Sequence, residues 1–194
     1  LTVNNAAYAL KTLCEVGNET NLGASFELSP NGNKTYVATV NLDIFSENYG
    51  EKWVRFNNCS QNYWATISDA SENGIGKTAT LDNTDEKQLW CFVGTAENFV
   101  LYNKAAGNTL ALNAPKDGNY ASGDAAKLTS EKGTWKLKEQ DFGYALIPTQ
   151  KTNSSELGIN KWSDGAGDLK LYATGKSNTG SYWKFDVVEA LAFS

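Results

Sequence analysis

The residues this chain lacks narrow its chemistry before the residues it has. Its 194 residues include no histidine, which removes Ser-His-Asp and Cys-His nucleophile systems, H-E-x-x-H zinc sites and every histidine-ligated metal. A paired-carboxylate glycosidase needs no histidine, but no pair stands out among the 22 acidic residues. Gly74-Ile75-Gly76-Lys77-Thr78 has the tail of a phosphate loop. Ser71 stands where its first glycine belongs, however, and a strand-like run at 78–81 follows instead of a helix. Asp164-Gly165-Ala166-Gly167-Asp168 falls short of the ligand count of a calcium loop and reads as a Gly-rich turn between strands. No metal and no cofactor is expected. What remains is six Trp and nine Tyr in a chain that is 12% aromatic, a surplus that needs a core to fill or a ligand to stack on.

The other totals are those of an ordinary globular chain, 41% hydrophobic and 20% charged. A net charge of −5 argues against a nucleic-acid partner, which needs a concentrated basic face. No run approaches the ~20 apolar residues of a transmembrane segment, and no signal segment opens the chain. The absence of methionine makes it read as a processed or excised piece. Cys14, Cys59 and Cys91 allow at most one internal disulfide; Cys59 and Cys91, beside apolar neighbours, read as small buried hydrophobes. N-x-Ser/Thr sequons at Asn18, Asn33, Asn58 and Asn153 matter only in a eukaryotic secretory pathway.

These residues are organised by an internal repeat. Three stretches align, opening at Trp53, Phe99 and Tyr144 and closing at Trp90, Trp135 and Trp183. The openers recur after 46 and 45 residues and the closers after 45 and 48, so two independent landmarks keep one period. Each unit reads as four short strands. A first aromatic and aliphatic run is followed by a second at 63–67, 109–112 or 156–159. A third lies around Thr80-Leu81, Lys127-Leu128 or 169–172, and the last carries the closing Trp. No segment shows capped helical periodicity. Three copies of four short strands favour a threefold all-β barrel over a sandwich.

Gln88-Leu89-Trp90 matches the Q-x-W motif that closes each repeat of ricin B-chain-type β-trefoils. The other repeats keep only the Trp, as Gly133-Thr134-Trp135 and Ser181-Tyr182-Trp183. Leu101-Tyr-Asn-Lys-Ala-Ala-Gly107 resembles the start of a trefoil repeat, similar to modules attached to secreted glycoside hydrolases of gut Bacteroidetes. The resemblance covers about 136 residues, Trp53 to Val188, and the family's within-repeat cysteine pair is absent. It implies a pseudo-threefold β-trefoil at 51–188, with repeats of about 53–97, 98–142 and 143–188, and a tail at 189–194. The closing tryptophans then fill the barrel base.

Residues 1–50 lie outside the repeat. The runs at 25–29 and 35–40 alternate polar and apolar across Pro30-Asn31-Gly32-Asn33, which predicts an N-terminal β-hairpin extension at 25–40. Residues 6–16 fit either a helical turn or another strand, and 41–50 read as the joint.

In sugar-binding members of this family an aromatic after the third strand stacks on a pyranose. An acidic residue after the second strand, and an amide near the Q-x-W, grip its hydroxyls. Carried over residue by residue, only the third repeat offers the aromatic, Tyr172; the first has Asp82 there and the second Thr129. Asn160 falls near the acidic position, Asp164 and Asp168 lie on the intervening loop, Trp162 adds an exposed stacking face, and Asn178 supplies an amide. Ser181 and Gly180 replace the usual gripping residues. The resemblance implies a non-catalytic carbohydrate-binding module whose partner is a glycan containing galactose or N-acetylgalactosamine. It also implies an extracellular, cell-surface or periplasmic setting and a covalently linked catalytic domain such as a glycoside hydrolase. The competing expectation is a structural or protein-interaction trefoil with decayed sugar pockets, which the twice-lost Gln favours. A protease inhibitor comes third, without an identifiable inhibitory loop.

Overall fold

The computed structural model describes residues 24–30, 36–68, 72–115, 119–140, 143–150, 156–164 and 167–188. The segment 6–16, Cys14, the tail and the sequons at Asn18, Asn33 and Asn153 lie outside them. Two compact units divide the chain at 44/45. In the first, β1 (Ala24–Pro30) pairs antiparallel with β2 (Tyr36–Leu42), in register from Ala24↔Leu42 to Pro30↔Tyr36. This is the expected hairpin.

The division falls within the joint read at 41–50; the second unit opens with β3 (Phe45–Ser46), which runs parallel to the seventh strand at Phe45↔Phe92. The first repeat then supplies β4 (Trp53–Asn58), β5 (Trp64–Ile67), β6 (Ile75–Thr78) and β7 (Trp90–Thr95). The second supplies β8 (Asn98–Asn103), β9 (Ala111–Asn113), β10 (Lys127–Thr129) and β11 (Trp135–Gln140). The third supplies β12 (Gly143–Pro148), β13 (Leu157–Asn160), β14 (Gly167–Asp168), β15 (Lys170–Ala173) and β16 (Trp183–Val188). Helix among the described residues is confined to 3-10 turns such as Glu86–Gln88 and Thr179–Ser181.

The outer strands of each repeat close a six-stranded barrel in the order β4–β16–β12–β11–β8–β7, sealed by β4 against β7. Closure leaves the barrel strands no exposed edge to template aggregation. Hairpins β5/β6, β9/β10 and β13/β15 cap it. The threefold symmetry is one of register. Trp90 faces Val54, Trp135 faces Phe99 and Trp183 faces Tyr144. The residue equivalent to Phe99 and Tyr144 is therefore Val54, not Trp53, and the true opening period is 45 residues in both steps. Successive strand side chains point to opposite faces; Val54 is fully buried while Trp53 packs outside on Tyr49, with ring centroids 5.4 Å apart.

The three closing tryptophans are completely buried, and each indole Nε1 donates to a carbonyl of its own second strand: Trp90 to Ala65 at 3.1 Å, Trp135 to Leu112 and Trp183 to Ile159 at 2.8 Å. A buried N–H thus finds the partner it needs. Phe56, Leu101 and Leu146 occupy a second equivalent layer, each fully buried. Gly74–Thr78, the phosphate-loop look-alike, is a bridge residue followed by β6. The third run of the first repeat therefore lies at 75–78, not around Thr80-Leu81, where exposed turn residues follow. Cys59 and Cys91 are thiols, not joined in a disulfide.

Candidate functional site

The third repeat carries a surface cleft of about 520 Å³ lined by Asn160, Lys161, Trp162, Tyr172, Asn178 and Thr179, with Ser60 and Gln61 on its far wall. Trp162 and Tyr172 are two of the few large hydrophobic side chains left exposed, at 42% and 39%. Their rings meet edge to face, centroids 5.9 Å apart at 74°. They form a corner: a flat ligand lies on one ring and abuts the other.

Trp162 is held there at a conformational cost. Its φ is +65°, the left-handed region that bulky residues avoid, at about 1–3 kcal/mol. Four contacts over-determine the turn. The Asn160 Oδ1 accepts from the Trp162 N–H at 2.5 Å. Lys161 N–H donates to the Gly180 carbonyl and Ser163 N–H to the Lys161 carbonyl, both at 2.9 Å. The buried Lys77 ammonium, from β6 of the first repeat, donates to that same Lys161 carbonyl at 2.6 Å. Burial holds the Lys77 pKa below its ordinary value, and Lys161 adds to that, while Asp164 and Asp168 oppose it. The second repeat contributes as well. Gly123, at φ +96°, lies so close to the indole that a Cβ there would sit 3.1 Å from it, and the Lys170 ammonium stands 5.0 Å from the ring centroid. All three repeats thus brace one exposed ring.

The structure brings Tyr172, Trp162, Asn160 and Asn178 to one cleft. Asn160 lines the cleft from a largely buried position. It is 6% exposed, and besides its bond to Trp162 it donates from Nδ2 to Ser181 Oγ at 2.7 Å, which in turn donates to the Ala173 carbonyl at 2.9 Å. Ser181 here occupies the place of the Q-x-W glutamine and ties the second and third strands together. In the first repeat Gln88 instead donates to the Thr80 carbonyl at 3.2 Å, in the turn after β6. Asn178 makes no side-chain capping bond at the 3-10 turn it precedes, so its amide is available to the cleft.

Asp164 and Asp168 do not line the cleft. Asp164 sits on the rim, ion-paired with Lys161, whose hydrogen bond holds its carboxyl below the usual range. Asp168 is in β14, paired with β6, and accepts from Ser68 Oγ. Asp82 is not the equivalent of Tyr172 either. Strand register places Thr78 and Thr129 at that position, because the third strand of the first repeat begins earlier than its composition implies.

The sequence reading missed Ser60, Gln61, Lys161 and Thr179. Lys161 and Thr179 adjoin named residues. Ser60 and Gln61 lie a hundred residues upstream, and only the pairing of β4 with β16 brings them here. Asn58, the sequon residue, is 2% exposed and bonds through Nδ2 to the Gly180 and Tyr182 carbonyls at 2.8 and 3.1 Å; it is a fastener, closed to glycosylation in the fold. Among the described residues no three His, Cys, Asp or Glu side chains gather as metal ligands, and no helix is long and apolar enough to cross a membrane.

No protein-family model matches this chain, and no curated protein sequence matches it. Solved structures do. A designed threefold-symmetric protein, ThreeFoil, is 16% identical with a TM-score of 0.54, over 69% of this chain and 97% of its own. A ricin B-like lectin from Macrolepiota procera, in complex with lactose, is 14% identical with a TM-score of 0.56, over 73% and 99%. The GlcNAcα1-4Gal releasing endo-β-galactosidase from Clostridium perfringens is 14% identical with a TM-score of 0.57, over 72% of this chain but 33% of the enzyme. At such identities the likeness is one of fold, and it agrees with the barrel, the register and the three buried tryptophans: the described residues of the second unit fold as a β-trefoil.

Proposed function

We propose that this chain is a non-catalytic glycan-binding module that takes a sugar in the cleft of its third repeat. The observation that carries this reading is Trp162, an exposed aromatic kept at positive φ by hydrogen bonds from the first and third repeats and set at a corner with Tyr172. Strain that the surrounding fold over-determines is characteristic of functional sites, and an aromatic corner with amides nearby suits the apolar face and hydroxyl edge of a pyranose. The lactose-bound lectin supports galactose or N-acetylgalactosamine as the recognised unit. The endo-β-galactosidase, matched over 33% of its length, supports a linked catalytic domain, and an extracellular, cell-surface or periplasmic setting belongs to the same reading. One observation favours the second reading, an interaction trefoil with decayed pockets. The first two repeats present Thr78 and Thr129 where the third has Tyr172, which leaves one aromatic cleft of three.

One stacking corner and few gripping groups bind weakly, about millimolar, or near −4 kcal/mol, so retention relies on tethering or clustered glycans. Calorimetric and NMR titration with galactose, N-acetylgalactosamine, lactose and mucin glycans tests this. Resonances of Trp162 and Tyr172 shift, and Tyr172→Ala abolishes the response while Thr129→Ala leaves it. Saturating sugars that move no resonance near Tyr172 overturn it in favour of the interaction module.

A further inference from the structure

We infer that the cleft is a two-ring site for a neutral oligosaccharide, with one pyranose on the Trp162–Tyr172 corner and the next against Ser60 and Gln61 of the first repeat. This rests on the glycan-binding reading above. Its first support is size: cavities that enclose drug-sized ligands begin at about 300 Å³, and one pyranose, with roughly the bulk of a tryptophan side chain, leaves much of the 520 Å³ cleft empty.

The second support is the way the far wall is built. The turn after β4 is pre-organised by Asn58, whose Oδ1 accepts from Ser60 N–H at 3.1 Å and Ser60 Oγ at 2.7 Å. Asn58 Nδ2 and the Cys59 N–H fasten the turn to Gly180 and Tyr182, so the two walls are held as one body. Asn103 builds the same turn one repeat later, accepting from Ala105 N–H at 3.0 Å and donating to the Lys87 carbonyl at 2.8 Å. That turn carries Ala105 and Ala106 where the first carries Ser60 and Gln61, and it faces the first repeat, whose cleft position holds Thr78. The cleft with aromatic rings thus has a polar pair on its other wall, and the equivalent position of the third turn is Gln150, which lies beside Asn113 and Thr134 of the second repeat.

The third support is chemical. Asn160 gives one donor to Ser181 and one acceptor to Trp162, so further hydroxyl recognition falls to Asn178 and Thr179 on one wall and Ser60 and Gln61 on the other. Gln61 is turned towards the third repeat, its Oε1 accepting from Lys161 Nζ at 3.3 Å. The Asp164 carboxylate bonds Gln61 as well as Lys161, so the lysine of the cleft is neutralised. Such a surface selects neither an anionic nor a cationic sugar.

The test is titration of the full chain with sugars of matched series and rising length: galactose, lactose and lacto-N-neotetraose, then glucose and cellobiose, with 3′-sialyllactose as the charged member. In the series that binds, the disaccharide is expected to bind about tenfold tighter than its monosaccharide, with resonances of Ser60 and Gln61 shifting only for the longer ligand. Gln61→Ala and, separately, Ser60→Ala bring the disaccharide down towards the monosaccharide, in variants first shown to melt like the parent; 3′-sialyllactose binds no tighter than lactose. Equal affinity across lengths, or a length gain that survives both substitutions, overturns the two-ring site while leaving sugar binding intact. Silence towards every sugar overturns both readings.

Discussion

Restoring the consensus motif in the second repeat should weaken the protein. Gly133 stands where the first repeat has Gln88 and the third Ser181. Its φ lies outside the left-handed region, so Gly133→Ala would ordinarily stabilise by about 0.4–1 kcal/mol through a more restricted unfolded chain. The fold opposes this. A Cβ at 133 would stand 2.7 Å from Asn113 Cα and 2.9 Å from the Leu112 carbonyl, and against Asn113 Oδ1. Two of these are backbone atoms that do not swing aside. Leu112 O is also the acceptor of the buried Trp135 indole, at 2.8 Å, so any backbone retreat loosens that bond. Overpacking costs about 1–3 kcal/mol and the loosened hydrogen bond about 1 kcal/mol. After the unfolded-state gain is subtracted, the net loss is roughly 1–3 kcal/mol. Urea unfolding followed by tryptophan fluorescence reads this as a lower midpoint at unchanged slope, and Gly133→Gln falls at least as far. A midpoint at or above that of the parent would refute the steric account of the missing glutamine.

Trp135→Ala empties a core site and is expected to cost about 3–5 kcal/mol in the same assay. Trp162→Gly removes an exposed ring and relieves a positive φ, so stability stays within about 0.5 kcal/mol or rises while the sugar response disappears; equal losses for the two would show core and surface confused. Burial pushes the Cys59 thiol up to about 11, with Lys184 opposing, whereas an unfolded cysteine titrates near 8.5. The unfolded chain therefore gives up this proton first, so the contribution of Cys59 to stability is complete below about pH 8.5 and is lost as pH climbs towards 11. Iodoacetamide at pH 9, read by mass spectrometry, should label Cys59 slowly in the native protein and quickly in urea; equal rates would contradict it.

The repeat was legible because hydrophobic burial imposes it on composition. Trp90, Trp135 and Trp183 must each fill the same site of one barrel, so their type and spacing survive while neighbours change. The hairpin at 25–40 was legible for a comparable local reason, an Asn-Gly pair in the sequence between alternating runs. Composition failed where only hydrogen-bond register decides. Trp53 looked like the partner of Phe99 because both are aromatic, yet Val54 is the residue opposite Trp90. Thr80-Leu81 looked like a strand, yet β6 lies at Ile75–Thr78.

The candidate site divides in the same way. The sequence reading named Tyr172 and Trp162 because they lie close together in the third repeat and are large. Asn160 was named too, but its bonds to Ser181 and Trp162 were not legible: a sequence shows an amide and not its partners. Ser60 and Gln61 were out of reach, since nothing local relates them to residues a hundred positions later. Three repeats, their strands and the aromatic bias of the third are local or periodic properties, and the sequence alone determines them. Which side chains share a cleft depends on how the barrel closes, with β4 beside β16, and closure is a property of the whole chain that the tertiary structure decides.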